Sequence, residues 1–173
     1  MIGAALQRLD RSARLLAPFA LSVLLVMLSA IPVYIPGYGQ IAVDVGLMAV
    51  FYWAIYRPDL MPLVAAFALG LWQDILTGAP IGLHALLLLL ANWAIVSQRT
   101  FFQGKSFGVI WWCFALVALA VAMLGWMLVC TLNTTFVNPM PGLFQAGLTI
   151  GAFPFMVWLL ARAQHVLLPP DNV

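Results

Sequence analysis

The fold is decided by residues 57–98, which read RPDLMPLVAAFALGLWQDILTGAPIGLHALLLLLANWAIVSQ. Two apolar runs, 60–76 and 81–96, lie within this stretch, and each approaches the ~20 residues that a helix needs to cross a bilayer. Only the residues TGAP at 77–80 separate the two runs, and glycine close to proline is typical of a turn. The stretch therefore predicts two antiparallel membrane helices joined by a tight turn.

The composition extends this prediction to the whole chain. Hydrophobic residues make up 65% of the sequence and charged residues 7%, whereas soluble domains carry roughly 25% charged residues. A soluble domain of ~150 residues buries only ~70% of the surface of its unfolded chain, which leaves this much apolar surface exposed. Four further apolar runs cover 15–34, 41–56, 107–132 and 143–161. We predict an all-α integral membrane protein whose single transmembrane domain, residues 1–173, is a bundle of six helices.

The basic residues predict the orientation of this bundle. The connections after the first, third and fifth runs carry no lysine or arginine. All seven basic residues lie in the N-terminal segment, in the connections after the second and fourth runs, or after the sixth run. Positively charged residues remain on the cytoplasmic side of membranes, so both termini are predicted to be cytoplasmic. The seven residues are Arg8, Arg11, Arg14, Arg57, Arg99, Lys105 and Arg162.

Four polar residues are predicted to share one layer near the outer face. In this topology the second and fourth spans begin there and the third ends there, which brings Asp44, Asp74 and His84 to a similar depth. Gln73 precedes Asp74. Ionisable groups within a membrane are costly and suggest a site. The layer is interpreted as a pocket open to the periplasm or as a hydrogen-bonded latch between helices. Separate interface residues that reach water remain an alternative, and the N-terminal dipole of the second span alone would favour Asp44.

The connection between the second and third spans is interpreted as a structural cytoplasmic turn. It contains Arg57, Pro58 and Asp59. Proline ends the second helix, and aspartate is a favoured N-cap, so Asp59 is predicted to cap the third span. Pro62 would then lie in the first turn of that helix, where proline is tolerated.

The connection between the third and fourth spans is predicted to be a tight outer reversal. Gly78 and Gly82 allow backbone conformations that other residues avoid. Pro80 restricts the turn and suits the start of a helix. The reversal is expected to hold Asp74 and His84 within one or two helical turns of each other.

Small residues at four-residue spacing predict close helix packing. Gly70 ends the segment AFALG at 66–70, and Gly147 and Gly151 flank the segment GLTIG. Such pairs let helices approach each other in membranes, either within the chain or with a partner. Pro154 is expected to kink the sixth span or to open it towards a neighbour.

Motifs for catalysis and metal binding are missing. The sequence has no HExxH, no GxSxG, no phosphate-binding glycine loop and no cysteine–histidine spacing for a metal. It contains no glutamate, and a net charge of +2 favours anionic lipid and no nucleic acid. We therefore predict no catalytic residues, no metal and no cofactor, and the protein is not expected to be an enzyme. Transport of a neutral or lipid-like substrate remains open.

Two segments carry a family resemblance. Residues 56–60 read YRPDL, and residues 70–86 read GLWQDILTGAPIGLHAL. Together they resemble the signature of the bacterial rod-shape-determining MreD family, in the order G-L-x-Q-D-x-L-x-G-x-P-x-G-x-x-A-L. The two segments together make up 22 of the 173 residues. His84 stands where the family pattern has asparagine. An imidazole can replace an amide as a hydrogen-bond partner, but it adds sensitivity to pH.

The resemblance implies a multi-pass protein of the bacterial inner membrane that belongs to the cell-elongation machinery. Expected partners are an MreC-like protein, membrane lipids and, indirectly, an MreB-like actin, a RodA-like glycosyltransferase and an elongation transpeptidase. The role implied is a non-enzymatic scaffold that supports lateral-wall peptidoglycan synthesis and rod shape. MreD-like proteins are also similar to the substrate-binding membrane subunits of energy-coupling-factor transporters. That second similarity keeps open a small-molecule- or lipid-binding function.

Overall fold

The computed structural model describes residues 18–29, 42–102, 104–133 and 138–167. Helices account for 87% of these residues, and no strand occurs among them. The predicted all-helical class is therefore confirmed. In chain order the elements are α1 (Pro18–Ser29), α2 (Val45–Tyr56), a 3₁₀ turn (Pro58–Leu60), α3 (Leu63–Thr77), α4 (Leu83–Ser97), α5 (Arg99–Phe102), α6 (Phe107–Asn133) and α7 (Met140–Leu167).

Two of these helices, α6 and α7, are long and apolar enough to cross a membrane. The apolar helices α1 to α4 are shorter; α2 has 12 residues, and α3 and α4 have 15 each. At ~1.5 Å per residue these three helices are roughly 18 to 22 Å long, less than the ~30 Å hydrocarbon core of a bilayer. The ends of the predicted first span, 15–34, lie outside the described residues.

Helix α2 lies at the centre of the bundle. Its sequence, VGLMAVFYWAIY, is apolar on every face, and ten consecutive residues from Val45 to Ala54 are buried. A helix that is hydrophobic all round can be enclosed by neighbours without leaving a polar side chain unpaired. Helices α4 and α7 pack against α2, and the indole N–H of Trp53 donates to the hydroxyl of Ser22 in α1 at 3.1 Å.

Aromatic rings fill the space between α2, α6 and α7. The ring of Phe51 meets those of Phe114 and Phe153 edge-on, with centroids 5.0 and 5.5 Å away. Phe114 and Phe153 are stacked on each other at 3.9 Å. Such pairs add roughly 0.5–1.5 kcal/mol each beyond the area they bury. This cluster therefore fixes how the two long helices sit against α2.

Pro154 lies inside α7, and the helix continues past it. Proline has no N–H, so it cannot donate to the carbonyl of Ile150 four residues earlier. The indole N–H of Trp111 in α6 donates to that carbonyl instead, at 3.0 Å. The proline thus leaves a carbonyl of α7 free to accept a hydrogen bond from α6. This agrees with the expectation that Pro154 opens α7 towards a neighbour.

The predicted N-cap of α3 is wrong. Asp59 lies in the 3₁₀ turn, where the amide of Leu60 donates to the carbonyl of Arg57 at 3.0 Å. The N-cap of α3 is Pro62, whose carbonyl accepts the amide of Ala65 at 2.9 Å. Proline fixes its own φ near the value a helix entry needs, so it sets the start of α3 without a side-chain cap. Arg57 and Asp59 are exposed and form no ion pair with each other.

Candidate functional site

The reversal between α3 and α4, which the sequence predicts on the outer side of the membrane, depends on two glycines. Gly78 ends α3 with φ 67°, and Gly82 precedes α4 with φ 100°. Both values lie in the left-handed region that residues with a Cβ rarely adopt. The amide of Leu83 donates to the carbonyl of Pro80 at 3.0 Å and closes the turn. The chain therefore reverses within a few residues, and the end of α3 faces the start of α4.

Asp74 of α3 binds the N-terminus of α4. Its Oδ2 accepts the amide of Gly82 at 2.8 Å and, more weakly, that of Ala85 at 3.4 Å. Its Oδ1 accepts the amide and the Nδ1 of His84 at 2.9 and 2.8 Å. Asp74 is only 1% exposed. The first amides of a helix have no partner within the helix, so a carboxylate from the preceding helix both satisfies them and favours the dipole.

Asp44 joins three helices at the neighbouring position. It is the N-cap of α2, one residue before the helix, and its Oδ1 accepts the amide of Leu47 at 3.0 Å. The same oxygen accepts the side-chain amide of Gln73 from α3 at 3.0 Å. The backbone amide of Asp44 donates to the hydroxyl of Thr149 in α7, also at 3.0 Å. The structure thus places Asp44 at the N-cap of α2.

Gln73 and Asp74 connect the hydrogen bonds around Asp44 with those at the start of α4. They are adjacent in α3, and they bind Asp44 on one side and His84 on the other. The Oε1 of Gln73 is buried without a hydrogen-bond partner among the described residues, and it faces Gly46, where any Cβ would collide with it. We call Asp44, Gln73, Asp74, His84 and Thr149 the outer polar layer. Its hydrogen bonds connect α2, α3, α4 and α7.

Thr149 was missed by the sequence analysis. Its hydroxyl donates to the carbonyl of Gln145 at 2.7 Å, within its own helix, and accepts the amide of Asp44. A threonine in an apolar helix commonly makes the first of these bonds. The second joins residues more than one hundred positions apart, and no local pattern in the sequence points to it.

A cavity of about 570 Å³ adjoins the outer polar layer. Asp44, His84 and Thr149 contribute to its lining, together with Gln145 and apolar residues of α2, α4, α6 and α7. This volume lies within the range of small-molecule sites, ~300–1,000 Å³. The cavity and the hydrogen bonds between helices lie side by side, and they share Asp44 and His84. The interpretation of the layer as a pocket open to the periplasm or as a latch stays a prediction.

The remaining predicted residues lie elsewhere. Arg57, Pro58 and Asp59 occupy the turn at the opposite end of α2 and α3. Gly147 and Gly151 are exposed, and a Cβ on either would meet open space among the described residues. Neither glycine therefore takes part in packing within the described chain. Within this same part of the chain no group of three or more histidine, cysteine or acidic residues could hold a metal ion.

Gly70 behaves differently from these two glycines. A Cβ on Gly70 would overlap the backbone of Ala85 at the start of α4. The absence of a side chain at Gly70 lets the two helices of the hairpin touch backbone to backbone, next to the carboxylate of Asp74.

The fold and the polar layer define a class of protein. It is a helical bundle with an apolar exterior, as in membrane proteins, and its buried polar groups mainly form hydrogen bonds between helices. Comparison with models of protein families identifies the family within this class. The model of the rod shape-determining protein MreD matches residues 8–164, and the chain belongs to this family. The family resemblance of the sequence is thereby confirmed, as is a role in rod shape and cell shape. Neither the curated proteins nor the solved structures contain a significant match.

The hydrogen bond between His84 and Asp74 yields a prediction for position 84. His84→Asn is expected to leave the thermal stability nearly unchanged, because an amide can donate to Asp74 in place of Nδ1. His84→Leu removes one of four donors from a buried carboxylate and is expected to cost about 1–3 kcal/mol. Thermal unfolding of both variants in detergent measures the difference. Equal stabilities for the two variants would mean that the imidazole bond contributes nothing.

Proposed function

We propose that this protein is a non-enzymatic inner-membrane scaffold of the cell-elongation complex. It would support lateral-wall peptidoglycan synthesis and rod shape by binding an MreC-like partner. The observation that carries the proposal is the family match over residues 8–164. The hydrogen bonds of the outer polar layer support it, since Asp74, Gln73 and Thr149 bind backbone or side chains of neighbouring helices. Such groups stabilise a rigid binding surface.

Partners of the scaffold follow from the family. The direct partner is the MreC-like protein, and membrane lipids surround the apolar exterior. An MreB-like actin, a RodA-like glycosyltransferase and an elongation transpeptidase would be reached through that partner. Large apolar side chains that face outwards on α7, such as Phe144, Phe155 and Trp158, offer surface for lipid or for a membrane helix of the partner.

Deletion and complementation test the scaffold role. Deletion of the gene in a rod-shaped bacterium that encodes this protein is expected to give round cells. Expression of the wild-type protein in the deletion strain is expected to restore the rod shape. The MreC-like partner should co-purify with the tagged chain from detergent extracts. Cells that stay rod-shaped after a clean deletion, in a strain without a paralogue, would contradict the proposal.

We further propose six membrane spans with both termini in the cytoplasm. The distribution of basic residues supports this topology: Arg57 follows α2, Arg99 begins α5, Lys105 follows α5, and Arg162 lies near the end of α7. A hydrogen bond of 2.9 Å between Tyr52 and Gln164 brings the basic ends of α2 and α7 together.

Cysteine labelling tests the topology. In a background without Cys113 and Cys130, a cysteine introduced at Ala79 or Asn138 is expected to react with a membrane-impermeant maleimide from the periplasm. One introduced at Lys105 is expected to react only after the membrane is opened. Labelling of the Ala79→Cys variant from the cytoplasm alone would overturn the whole arrangement.

The cavity favours a second function, binding of a small molecule or lipid. Its volume and its mixture of apolar walls with Asp44 and His84 fit a ligand site. The two functions respond differently to a large side chain placed in the wall, for example Ala122→Phe. A pure scaffold would keep both complex assembly and rod shape, whereas a ligand-binding subunit would assemble but lose its effect on shape.

A further inference from the structure

The carboxylate of Asp44 has one oxygen that the chain does not use. Its Oδ1 accepts from Leu47 and Gln73, whereas Oδ2 has no hydrogen-bond partner among the described residues. The residue is 9% exposed, and it borders the outer cavity. Asp44 therefore lines the cavity with one carboxylate oxygen that accepts no hydrogen bond from the described chain.

No cation of the described chain neutralises this carboxylate. Asp74, the other acidic residue of the layer, has an imidazole 2.8 Å away, but Asp44 forms no ion pair with any described residue. The described lysine and arginine residues lie at the opposite end of the helices, and none lines the cavity. A charge that is largely removed from water is costly unless it is paired. The site therefore has the electrostatic character of a cation site.

Apart from His84, Asn138, Gln145 and Thr149, the residues that line the cavity with Asp44 are mainly apolar. Helix α6 contributes Ala118, Val121, Ala122 and Gly125, and the lining extends along this helix as far as Val129. At ~1.5 Å per residue this stretch of α6 is roughly 16 Å long. An ion alone would leave these walls facing water, whereas an alkyl chain would cover them.

We propose that the outer cavity binds an amphiphilic primary amine. Its ammonium group donates a hydrogen bond to Oδ2 of Asp44, and its alkyl chain packs along α6. This inference rests on the second proposed function, ligand binding, and is independent of the scaffold role. The amine could be supplied by a lipid headgroup of the ethanolamine type or by a free alkylamine, since both present the same ammonium and apolar chain.

Protection of a cavity cysteine tests the proposal with the full chain. In a background without Cys113 and Cys130, Ala122→Cys places a thiol on the cavity wall, and its reaction with a maleimide is followed in detergent. Three probes with the same tail are compared: dodecylammonium, dodecanol and dodecanoate. Dodecylammonium is expected to slow labelling at a concentration about tenfold lower than dodecanol, because a charge-assisted hydrogen bond adds to the same apolar contact. Dodecanoate is expected to protect least.

Two control variants distinguish binding in the cavity from general partitioning of the probes into the detergent micelle and from misfolding of the protein. Gly147→Cys lies on the outward face of α7, and its labelling should not distinguish the three probes. Asp44→Asn, added to Ala122→Cys, retains a good N-cap for α2 but removes the charge. It should abolish the preference for dodecylammonium while the thermal stability stays close to that of the parent.

The outcomes decide the matter. A preference for the amine that survives Asp44→Asn, equal protection by all three probes, or an Ala122→Cys thiol that never reacts would each overturn the proposal. The scaffold role would stand in all three cases, because complementation tests it separately.

Nanodiscs identify the source of the amine. Slower labelling in phosphatidylethanolamine than in phosphatidylcholine or phosphatidylglycerol with the same acyl chains assigns the site to the lipid headgroup, because only ethanolamine carries a primary ammonium. Labelling that slows only when dodecylammonium is added assigns it to a free amine.

Discussion

Asp74→Ala is expected to destabilise the protein more than any other single change in the outer polar layer. The carboxylate accepts four hydrogen bonds, three from the backbone at the start of α4 and one from His84. Their loss leaves buried donors without partners and removes the negative charge from a helix N-terminus. We expect a loss of about 3–5 kcal/mol in the free energy of unfolding, as for other broken buried pairs.

Thermal unfolding in detergent measures this effect, together with pull-down of the proposed MreC-like partner. Asp59→Ala is the matched control, because Asp59 is exposed and caps no helix, so its removal should change little. Asp74→Asn is expected to fall between the two, since an amide retains one acceptor oxygen. Equal stability of Asp74→Ala and Asp59→Ala would show that the start of α4 does not need the carboxylate.

The second large effect is expected at Gly70. Even a methyl group there would overlap the backbone of Ala85, which cannot rotate away as a side chain can. Gly70→Ala is therefore expected to cost about 1–3 kcal/mol by overpacking, and Gly70→Leu more. Separation of α3 from α4 would also stretch the hydrogen bonds of Asp74, so the two effects are not expected to be additive.

Gly147 provides the control on the same residue type. A Cβ at Gly147 meets open space, and alanine favours a helix over glycine by up to ~1 kcal/mol, so Gly147→Ala should be neutral or stabilising. Gly147→Leu is expected to leave the isolated protein stable. If it also abolishes pull-down of the partner, the face of α7 with Gly147 and Gly151 is a partner interface. We expect substitution by alanine to lower the stability at Gly70 and to leave it unchanged or raise it at Gly147. A Gly70→Leu variant as stable as the wild type would refute the close approach of α3 and α4.

The proposed scaffold role would give these energies a function. The hairpin of α3 and α4 is held at its turn by Asp74. Towards its open end Asn92 of α4 donates its amide to the carbonyl of Met61, two residues before α3, at 3.1 Å. A hairpin fixed at both ends and packed tightly at Gly70 is rigid. Rigidity lowers the entropic cost of binding a partner, because fewer side chains and loops must be ordered on contact.

Much of the fold could be predicted from the sequence alone. Continuous apolar runs determined the helical class. Inside a bilayer no water is present, so the N–H and C=O groups of each segment must form hydrogen bonds within a helix. Gly78, Pro80 and Gly82 determined the position of the outer reversal, since their backbone preferences are local. The order of polar and small residues from Gly70 to Leu86 indicated the family, and the match over residues 8–164 confirmed it.

Only the tertiary structure decided which groups meet. The start of α3 moved from Asp59 to Pro62 because hydrogen bonds of the 3₁₀ turn use the intervening residues. The bond between Asp44 and Thr149 joins distant segments, and the contrast between Gly70 and Gly147 depends on which side of a helix faces a neighbour. A helix that is apolar all round, such as α2 or α7, carries no periodicity that marks its inner face. Its orientation is determined by the shapes and hydrogen bonds of the neighbouring helices, which the sequence of one helix does not contain.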